Sequence, residues 1–142
     1  MFSNNIIILQ TSLNDFDFNL LLERQPIVIE DYIIDIISVI KSWFASNIIE
    51  DLSYDCSILW NLNRHKFLFV YALEDTEVLL YAAGKKVIND TPNNDEPVIA
   101  IQLKKSQSLI IPFRWYYNIK NNQNIKFYGM HDYITYSLHF II

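Results

Sequence analysis

The sequence predicts a mainly β fold with one amphipathic helix, an α+β arrangement whose strands close into a sandwich or barrel. Three observations carry this. Isoleucines recur at helical spacing only between Asp31 and Ile48, and beyond residue 56 the chain breaks into short apolar runs separated by polar turns. Of the 142 residues, 51% are hydrophobic and 15% aromatic, while 19% are charged. That balance is the reverse of the one that leaves chains disordered, and it is ample for a single core at this length.

Taken in order, Ile6 to Leu9 is a short apolar run that suits a strand, and Thr11 to Asn14 is polar. Ile27-Val28-Ile29 is β-branched and follows Pro26, so a strand can begin there without needing the missing N–H. Asp31 can cap a helix in which Ile33, Ile36, Ile37, Ile40, Trp43, Phe44 and Ile48 form one apolar stripe. β-Branched residues lower helix propensity, so this helix needs a sheet to lie against. A membrane-surface helix would carry a basic polar face; here Asp31, Asp35, Glu50 and Asp51 surround a lone Lys41.

The later strands are expected at Ile58 to Leu62, Phe67 to Leu73, Val78 to Ala82, Val98 to Leu103, Ser108 to Ile111, Trp115 to Ile119, Ile125 to Tyr128 and Tyr133 to Ile141. Turns fall at Gly84-Lys85, in the polar loop Asn89 to Glu96, and at Asn121-Asn122-Gln123-Asn124. The whole chain, 1–142, reads as one domain. It comprises an N-terminal extension over 1–23, a first strand and helix over 24–56, and a β-barrel over 57–142.

Composition excludes several functions. A net charge of −5, with Lys and Arg scattered apart from pairs such as Lys85-Lys86 and Lys104-Lys105, offers nothing general to a phosphate backbone, so no nucleic-acid partner is expected. Asp35 and Lys41 interrupt the richest apolar segment, so no membrane insertion is expected. Cys56 is the only cysteine and no leader-like pattern opens the chain, which fits a reducing, cytoplasmic setting. With Gly84 and Gly129 as the only glycines, neither a P-loop nor a dinucleotide fingerprint can be built. The 23 Ile and 14 Asn are a bias of the kind that AT-rich genomes produce, those of large DNA viruses among them.

Several segments in order resemble one family. Arg24-Gln25-Pro26-Ile27-Val28-Ile29 precedes a Trp-containing helix, and Glu77 to Val87 reads as strand, glycine turn and basic return strand. Leu103 to Ile119 contains Ile111-Pro112, then two residues, Trp115, one residue and Tyr117; His131 to Phe140 reads as a closing strand. Together these are similar to the cupin-like, JmjC-related domains over about residues 24–142. The resemblance implies a double-stranded β-helix or jelly-roll barrel.

Oxygenases of that family hold Fe(II) through two histidines and a carboxylate. Counting back from Gly84, the resemblance puts the His-x-Asp pair on Tyr71 and Leu73 and the distal histidine on Tyr117. Phenol and isobutyl groups do not replace imidazole and carboxylate, so no catalytic residue, metal or other cofactor is expected. Tyr71, Leu73, Trp115 and Tyr117 become candidate lining of a filled pocket. Asn63-Arg64-His65 and Glu74-Asp75, considered as displaced ligands, restore no His-x-Asp pair. His131 and His139 stand eight residues apart on one expected strand, about 27 Å at strand rise, too far to share an ion. His65, His131 and Asp132 remain a candidate metal set.

The expectation is therefore a pseudoenzyme: a non-enzymatic, cupin-like protein-binding or scaffolding module. Its partners are other proteins, either copies of itself or a larger assembly, and it is a structural or minor-capsid component of the virion if the chain is viral. The competing expectation is a divergent Fe(II)/2-oxoglutarate-dependent hydroxylase.

Overall fold

The computed structural model describes residues 9–12, 15–16, 18–22, 25–30, 33–42, 48–52, 60–81, 87–88, 91–92, 98–119 and 125–131. Among these, strands dominate: β1 (Leu9–Thr11), β2 (Ile27–Ile29), β3 (Ile48–Leu52), β4 (Asn61–Leu62), β5 (Phe67–Ala72), β6 (Thr76–Tyr81), β7 (Val87–Ile88), β8 (Thr91–Pro92), β9 (Val98–Leu103), β10 (Ser108–Pro112), β11 (Tyr116–Ile119) and β12 (Ile125–His131). Two helices accompany them, α1 (Phe18–Leu22) and α2 (Ile33–Ser42). Neither is long and apolar enough to cross a membrane.

Six strands form one sheet in the order β1-β2-β10-β5-β12-β3, four form a second in the order β4-β11-β6-β9, and β7 pairs with β8. β1 runs parallel to β2; the other pairings are antiparallel. Four of them are nested: β3 with β12, β4 with β11, β5 with β10, and β6 with β9. The chain from β3 to β12 is thus a long antiparallel ribbon folded over so that its strands are shared between the two sheets.

Strand periodicity explains the layers. Side chains alternate faces along a strand, and in β5 Leu68, Val70 and Ala72 face the second sheet while Phe67, Phe69 and Tyr71 face the helices. In β10, Leu109 and Ile111 point one way and Ile110 the other. A strand covered on both faces needs a continuous apolar run rather than an alternating one, which is why the sequence reads FLFVYA and SLIIP at these two central strands. β9, at the edge of the smaller sheet, alternates instead: Ile99, Ile101 and Leu103 are buried while Ala100 and Gln102 are exposed.

The inter-sheet core contains Val28, Leu68, Val70, Val78, Leu80, Ile101, Leu109, Trp115, Ile119 and Phe127 among others. The second core lies under the helices, where Ile36, Ile37 and Ile40 of α2 meet Ile27, Ile29, Phe67, Phe69 and Ile110. Each fully buried isoleucine contributes about 1.5–3 kcal/mol, so this stripe holds α2 despite its modest propensity.

The helix expected from Asp31 to Ile48 is shorter. Its described part is Ile33–Ser42, where the Ser42 hydroxyl donates to the carbonyl of Val39 (2.6 Å). Ile48 opens β3 instead, paired with His131, while Trp43 and Phe44 lie outside the described residues. Helical spacing carried the isoleucine stripe too far because Ile48 and Ile49 suit a strand equally well. Of the first expected strand, Leu9 lies in β1 (Leu9–Thr11), and Ile6, Ile7 and Ile8 lie outside the described residues.

Candidate functional site

At one end of the sandwich the chain crosses from β4 in the smaller sheet to β5 in the larger one through Asn63-Arg64-His65-Lys66. This crossing cannot form ladder bonds, so its polar groups need other partners. Asn63 supplies them. Its Nδ2 donates to the carbonyls of Ile111 (3.0 Å) and Pro112 (2.8 Å), and its Oδ1 accepts from the backbone N–H of His65 (2.9 Å). Its own N–H donates to the Trp115 carbonyl and its carbonyl accepts from the Arg114 N–H, both at 2.8 Å. Asn63 is 1% exposed, so these five bonds form a buried clamp between the β4–β5 crossing and the β10–β11 turn. Within that turn Arg114 is held at a φ of 68°, a left-handed conformation that arginine rarely adopts.

The clamp aims His65 at β12. Phe127 of β12 belongs to the inter-sheet core and Tyr128 and Met130 to the helix-side core, so Gly129 and His131 share the inter-sheet face with Phe127. The His65 ring lies where a Cβ on Gly129 would stand, against its Cδ2, Nε2 and Cγ. Beside it is the ring of His131, with centroids 4.2 Å apart and planes inclined at 36°. His131 is fully buried and His65 is 8% exposed. In the β3–β12 ladder, Glu50 stands opposite Gly129 and Ile48 opposite His131.

The residues singled out from sequence do not converge on one pocket. Tyr71 packs on the helix-side core and Leu73 is exposed at 38% in the β5–β6 turn, whereas Trp115 and Tyr117 belong to the inter-sheet side. The sheet itself separates Tyr71 from Tyr117, so these two positions cannot serve one ion. The register partners of Tyr117 are Asn61 across β4 and β11 and Leu80 across β6 and β11. Tyr117 in turn meets Phe127 edge-on, with centroids 5.6 Å apart and planes at 88°.

No family profile matches this chain, and no curated protein matches it either. The site is therefore read from its own residues.

Glu74 and Asp75 lie in the exposed turn after β5, where Lys105 pairs with Glu74 at 3.7 Å and Lys104 with Asp75 at 3.9 Å. Of the proposed metal set, His65 and His131 come together; Asp132, and with it His139 and Cys56, lies outside the described residues. The aromatic residues of β11, β6 and β12 divide by strand parity. Tyr117 turns inward, whereas Tyr116 meets Tyr81 edge-on at 5.8 Å and Tyr81 lies 6.1 Å from Trp60. Tyr128 faces the helices.

Sequence reasoning missed Asn61, the Asn63 clamp and the Gly129 cradle. A signal existed for one of them: a glycine inside a strand pattern marks close approach by another group.

Proposed function

We propose that the chain is a non-catalytic, cupin-like jelly-roll module that works through its surfaces, as a protein-binding or scaffolding component of an assembly. The nested pairing of β3 with β12, β4 with β11, β5 with β10 and β6 with β9 supports the jelly-roll reading, because a folded-over antiparallel ribbon shared between two sheets is how such barrels are built. β1 and β2 extend the larger sheet at one edge.

The observation that carries the non-catalytic reading is the facing pair Asn61 and Tyr117. If Tyr117 stands at the resembled family's distal histidine, its partners for an ion are to be sought across β4, at Asn61 and the buried Asn63, rather than at Tyr71 and Leu73. An amide and a phenol are poor substitutes for imidazole and carboxylate toward Fe(II), and both Asn63 side-chain donors are already committed to backbone carbonyls. Among the described residues, Trp115, Ile119, Leu80 and Phe127 belong with Tyr117 to the inter-sheet core, which supports a packed interior over an opening for a cosubstrate. A filled interior leaves the outer faces as the working surface. The compositional bias toward isoleucine and asparagine makes a virion protein of a large DNA virus the setting this reading favours.

The test is twofold. Purified protein supplied with Fe(II), 2-oxoglutarate and ascorbate is expected to form no more succinate than a protein-free control, and light scattering after gel filtration is expected to report a self-associated species. Succinate formation above the control would replace this reading with the hydroxylase. A strictly monomeric protein would remove self-assembly from it.

A further inference from the structure

We propose that β9 is a self-association edge: it pairs antiparallel with β9 of a second copy of this chain, joining two smaller sheets into one across a two-fold axis centred on Ala100. The proposal rests on the self-association included in the proposed function and names the surface that carries it.

The case begins with the edges. The outer strands of the six- and four-stranded sheets are β1, β3, β4 and β9. An unpaired outer strand offers a row of N–H and C=O groups to any other strand, and proteins blunt such edges by shortness, charge, proline or bulges. β1 has three residues and β4 two, and β3 carries Glu50 and Asp51 in its sequence. β9 has none of these protections. It is six residues long, reads VIAIQL, and pairs with β6 residue by residue from Val98 with Tyr81 to Leu103 with Thr76, without a bulge. Among the described residues no strand lies along its other side.

Burial points the same way. Ile99 and Ile101 belong to the inter-sheet core yet are 9% and 7% exposed, whereas Val78 and Leu80, one strand further in, are 0% exposed. The core is less covered along β9, where one more strand would close it. On the outer face Val98 is half-buried and Ala100 and Gln102 are exposed, and none of the three is charged.

The pattern selects a second β9 as the occupant. Directly opposed residues of an antiparallel pair share a face of the sheet, so a two-fold alignment of VIAIQL has to bring outward residues to outward residues. Centred on Ala100, it sets Ala100 against Ala100, Val98 against Gln102 and Ile99 against Ile101, with no like charges opposed. The flanking sequence fits the same alignment. Asp95-Glu96 precedes the strand and Lys104-Lys105 follows it, so the acidic end of one copy comes to the basic end of the other. Lys104 and Lys105 also pair with Asp75 and Glu74 in their own copy, at 3.9 and 3.7 Å, but exposed pairs of this kind hold a side chain weakly and leave the ammonium open to a second carboxylate.

The experiment uses the full chain. Sedimentation of the wild type is expected to show a species of at least two copies, and hydrogen exchange at β9 amides is expected to slow as concentration rises through that association. Ala100→Lys and Ala100→Glu each set like charges opposite one another and should raise the dissociation constant at least about fivefold. Mixing the two variants in equal amounts should restore association, because lysine then faces glutamate, a rescue that poor folding of either variant cannot produce. A self-associated wild type whose β9 amides exchange at one rate at every concentration overturns the pairing while leaving the scaffolding reading in place, and that measurement needs no variant. Variants that associate as tightly as wild type, or a mixture no tighter than either variant alone, overturn it as well. A strictly monomeric wild type overturns it together with self-assembly.

Discussion

His65 and Gly129 share one space: the imidazole lies where a side chain at 129 would begin, on the inter-sheet face of β12. Ring and strand can be neighbours only because position 129 carries no Cβ. Gly129→Ala is therefore expected to destabilise the fold by about 2–3 kcal/mol, the upper part of the range for forcing atoms into a packed interior. The second half of the prediction is specific to the pair. In a His65→Ala background the added methyl no longer meets the imidazole atoms nearest to it, so the same change should cost at least about 1 kcal/mol less. Urea unfolding of the two single variants and the double variant measures the coupling, and simple additivity would show that some other neighbour resists the methyl.

Asn63 is the second point of dependence. Its amide donates to two buried carbonyls of the β10–β11 connection while its oxygen accepts from His65. Asn63→Ala leaves three buried backbone groups short of a partner, at about 1–3 kcal/mol each before relaxation, and an overall loss of about 2–4 kcal/mol is expected. Asn63→Asp, nearly the same shape, should be worse at neutral pH because it turns a carboxylate toward two carbonyl oxygens. Thermal melts at pH 7 rank the two. An aspartate variant as stable as wild type would mean that the Nδ2 bonds contribute little.

Arg114 makes the opposite prediction. Its φ of 68° is costly for any residue with a Cβ, and its side chain is exposed. Arg114→Gly should raise stability by up to about 1 kcal/mol, since glycine accepts the left-handed region without penalty but gives up more freedom on folding. Ser106, at a φ of 71° in the exposed β9–β10 turn, is the natural comparison and should behave alike. If Ser106→Gly stabilises and Arg114→Gly destabilises, the arginine side chain makes contacts that outweigh its backbone strain.

The strands were legible from sequence wherever burial imposed a pattern. β9 was read at its observed limits, and β2, β5, β10 and β11 within a residue or so, because their apolar runs are bounded by turn residues. β3 was not, since Ile48 and Ile49 continue an isoleucine stripe whose spacing is also helical, and only pairing with β12 decides the matter. The site was less legible for a related reason. Tyr71 and Tyr117 were placed together by counting from Gly84, but which face of a strand a residue occupies depends on parity, and a register error of one residue reverses it. Asn63 and Gly129 act through backbone groups and empty space, neither of which leaves a pattern in residue types.

That parity argument can be tested by building what the resembled family has. Directly opposed residues in an antiparallel pair have Cβ atoms about 4.5–5.5 Å apart, close enough for two imidazoles to share an ion. Asn61 and Tyr117 are such a pair, so Asn61→His with Tyr117→His should bind one more equivalent of Ni2+ than the wild-type chain, measured by equilibrium dialysis and metal analysis. Tyr71→His with Tyr117→His should bind no extra ion, because Tyr71 faces the helix-side core and Tyr117 the inter-sheet core. Losing the edge-on contact of Tyr117 with Phe127 should cost both variants alike, about 0.5–1.5 kcal/mol beyond the lost burial. The comparison therefore isolates geometry from stability. Extra Ni2+ in the Tyr71 variant would put Tyr71 and Tyr117 on one side of the sheet after all. A gain confined to the Asn61 variant would fix Asn61 and Tyr117 as the place where a metal pair could stand and where this chain carries an amide and a phenol instead.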